Sequence, residues 1–276
     1  MVQSGPVDHK GYRVARVKSS PSHFAKPASP PLTEAARRTP NAALAIFAKA
    51  PIPGEVKTRL CPPLTPDEAA TLHGSFVLDM LEQTKRAVVT LQLLCDRYLA
   101  CAPSSGLVFF KIMEERQGVR LLDQVGEDLG QRMHHTFIEL FAKGYKQVIL
   151  VGTDVPTLPL SVYQEAFAIL SRADVVLGPA LDGGYYLIGL TQPAERLFAG
   201  VPWSTDQVLA ITQQNAMTLG LSVGLTSAWR DVDTIADLQA LIADCREDEK
   251  KPKQGRTFSM RTAGALQLLA TRLKTR

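Results

Sequence analysis

The chain has 276 residues, 45% of them apolar and 21% charged, with a formal net charge of +4 and a mean hydropathy of −0.01. That is enough chain for one large α/β domain or two small ones, and no apolar run is long enough to cross a bilayer, so stable membrane insertion is not expected. The charge is uneven: residues 1–41 hold seven Lys/Arg against two acids, 246–276 hold nine against three, and 42–245 are left with a net of −7. An acidic middle argues against nucleic acid as the main ligand.

Residues 1–41 are rich in Ser, Pro and Ala without apolar periodicity, and read as a disordered basic extension rather than a secretory signal. Order begins at Ala42. A buried strand over 43–48 runs into K-A-P-I-P-G-E-V-K-T-R-L, a loop fixed by two prolines and Gly54 and carrying Lys49, Lys57 and Arg59. A glycine-containing cationic loop after a strand can cradle phosphate, or can be a solvated surface turn; the Walker and dinucleotide spacings are absent. Thr65-Pro66-Asp67-Glu68 is a helix start with a cap, a first-turn proline and a glutamate that can close a capping box. His73 lies in that helix and reads as structural. Strands are expected over 97–102 and 119–124, followed by G-E-D-L-G-Q-R-M, a turn into a helix that Gly144 closes.

The next strand, over 147–151, ends in G-T-D-V-P-T-L. Asp154 therefore stands just past a strand's carboxyl end, where open α/β sheets bind ligands. It can hold a divalent cation or merely cap its own turn. A helix over 160–171, a strand over 174–178, the Asp182-Gly183-Gly184 turn and a strand over 185–190 follow. Trp203 opens a helix expected to reach about Gly220, a strand spans 222–226, and acids crowd the helix start at 230–238. A basic linker from about 246 leads to an amphipathic helix over 260–274. The four cysteines show no metal spacing and are expected to be reduced thiols of a cytoplasmic protein.

Alternating strands and helices predict a single mixed, mostly parallel sheet flanked by helices. Taken together, F-A-K-A-P-I-P-G-E-V-K-T-R-L, Q-V-G-E-D-L-G-Q-R-M, G-T-D-V-P-T-L, G-P-A-L-D-G-G-Y-Y-L-I-G-L, V-P-W-S-T and D-V-D-T-I-A-D-L resemble, in order and over about 42–245, a glycosyltransferase-A-like family. Its members often carry a glycosyltransferase label, some an arsenosugar-biosynthesis label. The chain is more distantly similar to phospholactate and molybdenum-cofactor guanylyltransferases. The resemblance implies a nucleotide-diphospho-sugar transferase fold and a Mg²⁺ or Mn²⁺ cofactor on Asp154 and Asp233. It further implies a nucleotide-binding set of Lys49, Gly54, Lys57, Arg59, Asp128 and Trp203, and an acceptor side formed by Asp182, Gly183 and Gly184, with Asp182 as the candidate base. One Asp stands where transferases of this fold carry Asp-x-Asp. The implied reaction is sugar transfer from a nucleotide sugar to a small acceptor. Nucleotidyl transfer from an NTP and non-catalytic nucleotide binding are the alternatives, and the reading leaves room for a homo-oligomer.

Overall fold

The computed structural model describes residues 40–274. The basic extension expected over 1–41 therefore lies, up to residue 39, outside the described residues. Seven strands form one sheet: β1 (Ala42–Lys49), β2 (Cys95–Ala102), β3 (Arg120–Asp123), β4 (Gln147–Val151), β5 (Val175–Pro179), β6 (Tyr185–Leu190) and β7 (Val223–Leu225), in the order β3-β2-β1-β4-β6-β5-β7. β6 is antiparallel to both its neighbours and every other pairing is parallel, so the sheet is mixed and mostly parallel, as its sequence pattern requires.

The helices are α1 (Pro66–Thr90), α2 (Val108–Gln117), α3 (Leu129–Ala142), α4 (Ser161–Leu170), α5 (Val208–Thr218), α6 (Ile235–Glu249) and α7 (Met260–Lys274). Strand alternation assigns them to layers. Leu44 and Ile46 of β1 pack with Met80 of α1, Phe110 of α2 and Tyr163 of α4, while Ala43 and Ala45 face Phe137 and Leu140 of α3. Both faces are covered, which is why β1 and β4 are continuous apolar runs.

Two elements differ from the sequence expectation. No element was expected between 103 and 118, where α2 lies; it buries only Phe110 and Met113 and has no side-chain cap. The helix expected from Trp203 starts at Val208 instead. Ser204 takes a left-handed backbone (φ 67°), which interrupts any helix there, and so Trp203 sits on a loop.

A third apolar cluster joins Leu60 and Leu64 of the cationic loop, Leu72 and Phe76 of α1, Leu241 of α6 and Leu266 of α7. Buried Asp79 of α1 ties α7 down, accepting from Ser259 Oγ (2.9 Å), Thr262 Oγ1 (2.5 Å) and Arg261 (2.7 Å). Asp79→Asn keeps the shape and removes the charge that Arg261 pairs with, so it is expected to cost about 1–2 kcal/mol. Hydrogen exchange should then show α7 amides opening before the sheet; protection in α7 equal to wild type would contradict this anchoring. All four cysteines are free thiols, and burial pushes Cys95 and Cys101 up to about 12. Among the described residues no helix is long and apolar enough to cross a membrane.

Candidate active site

The strands β1 and β4 end side by side, and the loops leaving them wall a cavity of about 500 Å³. Glycine, then two prolines within five residues of Asp154, stop β4 and turn the chain outward. The Asp154 carbonyl accepts from Val232 N (3.0 Å), which joins the loop after β4 to the segment before α6.

That seam brings together residues far apart in sequence. Lys57 sits at φ 51°, ψ 35° and sends its ammonium inward, to Val232 O (2.6 Å), Asp154 Oδ1 (2.7 Å) and Asp233 Oδ1 (2.8 Å), leaving only 4% of its side chain exposed. Burial alone would lower the Lys57 pKa, but the two carboxylates outweigh it and hold it above the ordinary lysine value. Burial likewise pulls Asp154 up, and the adjacent ammonium wins, keeping its carboxyl below the usual range. Arg59 is 56% exposed and stands 3.6 Å from Asp233 Oδ2, free to meet a ligand. His73 reaches the same wall from α1, its Nε2 donating to Lys49 O at 3.1 Å.

Asp182, Asp231 and Asp233 present carboxylate oxygens within 4.8 Å of one another, a triplet found among the described residues. Asp231 carries the cost of this crowding: burial first, then Asp182 and Asp233, push it up to about 6. Asp231 carries no signal of its own in the sequence, because it lies among acids that crowd a helix start. Thr234 and Asp237 do form the capping box there, which frees Asp231 and Asp233 for the cavity. Three hard carboxylate oxygens at this spacing suit Mg²⁺ or Mn²⁺. Asp154 and Asp233, the pair expected to share a cation, are indeed neighbours, but the Lys57 ammonium lies between them.

On the far wall, Asp182 Oδ1 accepts from Gly184 N (2.8 Å) and shapes the turn. Gly183 has φ 93°, and a Cβ there would come within 2.2 Å of Asp206 O, so this turn requires glycine. Trp203 lies against Gly130 of α3, where a Cβ would meet the indole at 2.6 Å; its ring is thereby held at the cavity wall beside Tyr185. Of the remaining expected residues, Lys49 and Gly184 line the cavity. Gly54 and Asp128 do not: Gly54 turns the loop at φ 83°, and Asp128 caps α3 by accepting from Gln131 N. A smaller cavity of about 270 Å³ adjoins at the ends of β1 and β2, sharing Lys49, Glu55, Val56 and Gln124 with the first. Gln124 is locked between those strands, its Nε2 donating to Ala48 O and Ala100 O.

A solved structure from Desulfovibrio desulfuricans G20, provisionally described as a nucleotide-diphospho-sugar transferase, superposes with a TM-score of 0.71 at 30% identity. The match covers 85% of this chain and 97% of that one. Residues 85–205 match the family described as "uncharacterized protein conserved in bacteria (DUF2064)". The chain is a DUF2064 protein. The curated 2-phospho-L-lactate guanylyltransferase of Methanothermobacter thermautotrophicus is 27% identical to this DUF2064 protein over 190 residues, 67% of this chain and 78% of that protein. The DUF2064 chain thus has a transferase-type fold shared with sugar- and nucleotide-transferring proteins, and its paired cavities and carboxylates lie at the carboxyl edge of that sheet.

Proposed function

We propose that this protein is a metal-dependent transferase that moves a sugar from a nucleotide-diphospho-sugar to a small acceptor. The observation that carries this reading is the cavity's extent. It is walled not by the carboxylates and the cationic loop alone but also by Gly184, Tyr185 and Trp203, and at about 500 Å³ it has room for a group beyond the diphosphate. The smaller cavity, across Lys49 and Gln124, is suited to the nucleoside.

Lys49 and Arg59 are the cations that meet the diphosphate, and Arg59 can follow charge as it develops on the leaving group. Asp182, Asp231 and Asp233 would hold a divalent cation, whose chemistry would be to neutralise that same charge. The indole of Trp203 offers a flat apolar surface to a sugar face and excludes water from it. Asp182 is also the candidate base for an incoming hydroxyl, and in that role it would leave the cation to Asp231 and Asp233.

The second reading, nucleotidyl transfer with pyrophosphate release, is favoured by the similarity to a guanylyltransferase over 78% of its length. The two break different bonds. Incubation with Mn²⁺ and a panel of nucleotide sugars, read as free nucleoside diphosphate, is expected to give turnover even without acceptor, through slow hydrolysis. Pyrophosphate release from an NTP, with every nucleotide sugar left intact, would overturn the sugar-transfer reading in favour of the second.

A further inference from the structure

The position of Lys57 conflicts with the work its loop is suited to. An ammonium has three N–H donors, and Lys57 has three acceptors at 2.6–2.8 Å, so none is left for a phosphate. It also fills the space between Asp154 and Asp233, so a cation that shares Asp233 with Asp182 and Asp231 can reach Asp154 only by displacing it.

Two features mark this arrangement as a stand-in rather than a closed structural ion cluster. First, Asp154 Oδ1, which the Lys57 ammonium meets at 2.7 Å, has a second buried group beside it. His73, 5% exposed, points Nδ1 at that same oxygen from 3.9 Å, beyond hydrogen-bonding reach, and finds no other partner. Its Nε2 faces a carbonyl, which can only accept, so the neutral ring carries its proton there and turns a bare lone pair toward Asp154. The Nδ1 lone pair thus faces a carboxylate oxygen and has no donor of its own. Second, Lys57 adopts a left-handed backbone that lysine disfavours, so contacts rather than conformational preference keep it in place.

We propose that Lys57 is an exchangeable counter-ion. In the ligand-free protein its ammonium holds Asp154 and Asp233 together; a divalent cation arriving with a phosphate-bearing ligand takes those carboxylates while the ammonium moves onto the phosphate. Charge requires the two moves together. A cation alone would stand beside an ammonium with nowhere to go, and a phosphate alone would draw the ammonium away from two bare carboxylates. Metal and phosphate ligand therefore bind cooperatively, through a lysine that changes partner. The inference rests on reading the site as one for a divalent cation and a phosphate ligand.

Calorimetric titration of wild type and Lys57→Gln with Mn²⁺ alone tests the masking. The variant is expected to bind about tenfold or more tightly than wild type, because two unpaired carboxylates are left for the ion. Binding no tighter than wild type would overturn the proposal. Should the variant fold only when Mn²⁺ is added, that rescue is itself the expected preference. The exchange is read in wild type from the NMR signal of the Lys57 ammonium, assigned by its loss in the variant. Mg²⁺ or pyrophosphate alone should leave it in place, and the two together should shift or abolish it. Joint binding, seen as a raised melting temperature, with an unmoved Lys57 signal would overturn the exchange alone. A wild type that binds neither probe, beside a variant that binds Mn²⁺ tightly, would make Lys57 a permanent counter-ion and remove the phosphate-ligand reading with it.

Discussion

Asp233→Asn is expected to lower transfer by about 10²–10³-fold in kcat/KM, measured with whichever donor the panel identifies. The size of the effect follows from where Asp233 stands. It belongs to the carboxylate triplet with Asp182 and Asp231, it pairs with the buried Lys57, and it lies nearest the exposed Arg59. Removing its charge weakens cation binding and leaves the loop cations without their anchor in one step. Folding should survive, because Lys57 keeps Asp154 and the Val232 carbonyl. A rate within tenfold of wild type, in folded protein, would place the reacting centre elsewhere.

Asp231→Asn is expected to act on stability, and in a pH-dependent manner. In the folded protein Asp231 is pushed up to about 6, by burial first and then by Asp182 and Asp233. In the unfolded chain it titrates near 4. A carboxyl whose folded pKa is raised favours the folded state while it is protonated. That advantage is complete below about pH 4 and is lost as pH rises through about 6. In chelator, the variant should therefore match wild type near pH 4 and be more stable by about 2 kcal/mol at pH 7.5, read from urea unfolding. A divalent cation should close the gap by neutralising the crowd of carboxylates. A difference that is equal at both pH values would mean that Asp231 matters for packing and not for charge.

The elements that could be read from sequence are those whose signal is local. β4 announces itself as five apolar or amphipathic residues ended by Gly152 and two prolines, and the start of α1 by a capping box that the structure reproduces. α2 could not be read this way, because ten residues burying one i, i+3 pair, with no cap, fall below what periodicity can detect. The position of Trp203 was misplaced for a related reason: the motif V-P-W-S-T looked like a helix start, and only the left-handed Ser204 sets it on a loop. At the site, Asp154 is legible as an acid at a strand end, Asp182 as part of a glycine turn and Asp233 as one of the acids before a helix. Their assignment to partners is not. Lys57 meets acids 97 and 176 residues away, and Asp231 is crowded by a carboxylate from a different turn, arrangements that no spacing rule encodes.

The cluster that joins Leu60 and Leu64 to Leu241 and Leu266 bears on the order in which a ribosome delivers this protein. β1, the cationic loop and α1 are synthesised early, yet one side of that loop is covered only by helices made some two hundred residues later. Arg272 of α7 reaches back to the carbonyl of Pro63 (2.6 Å) and to Glu68 (2.5 Å) across the whole length of the domain's sequence. During translation the first half of the site therefore waits with leucines bare, a period in which a nascent chain is prone to associate with others. A protein shortened before residue 260 should, for that reason, fail first as an aggregating chain, well before any question of catalysis arises.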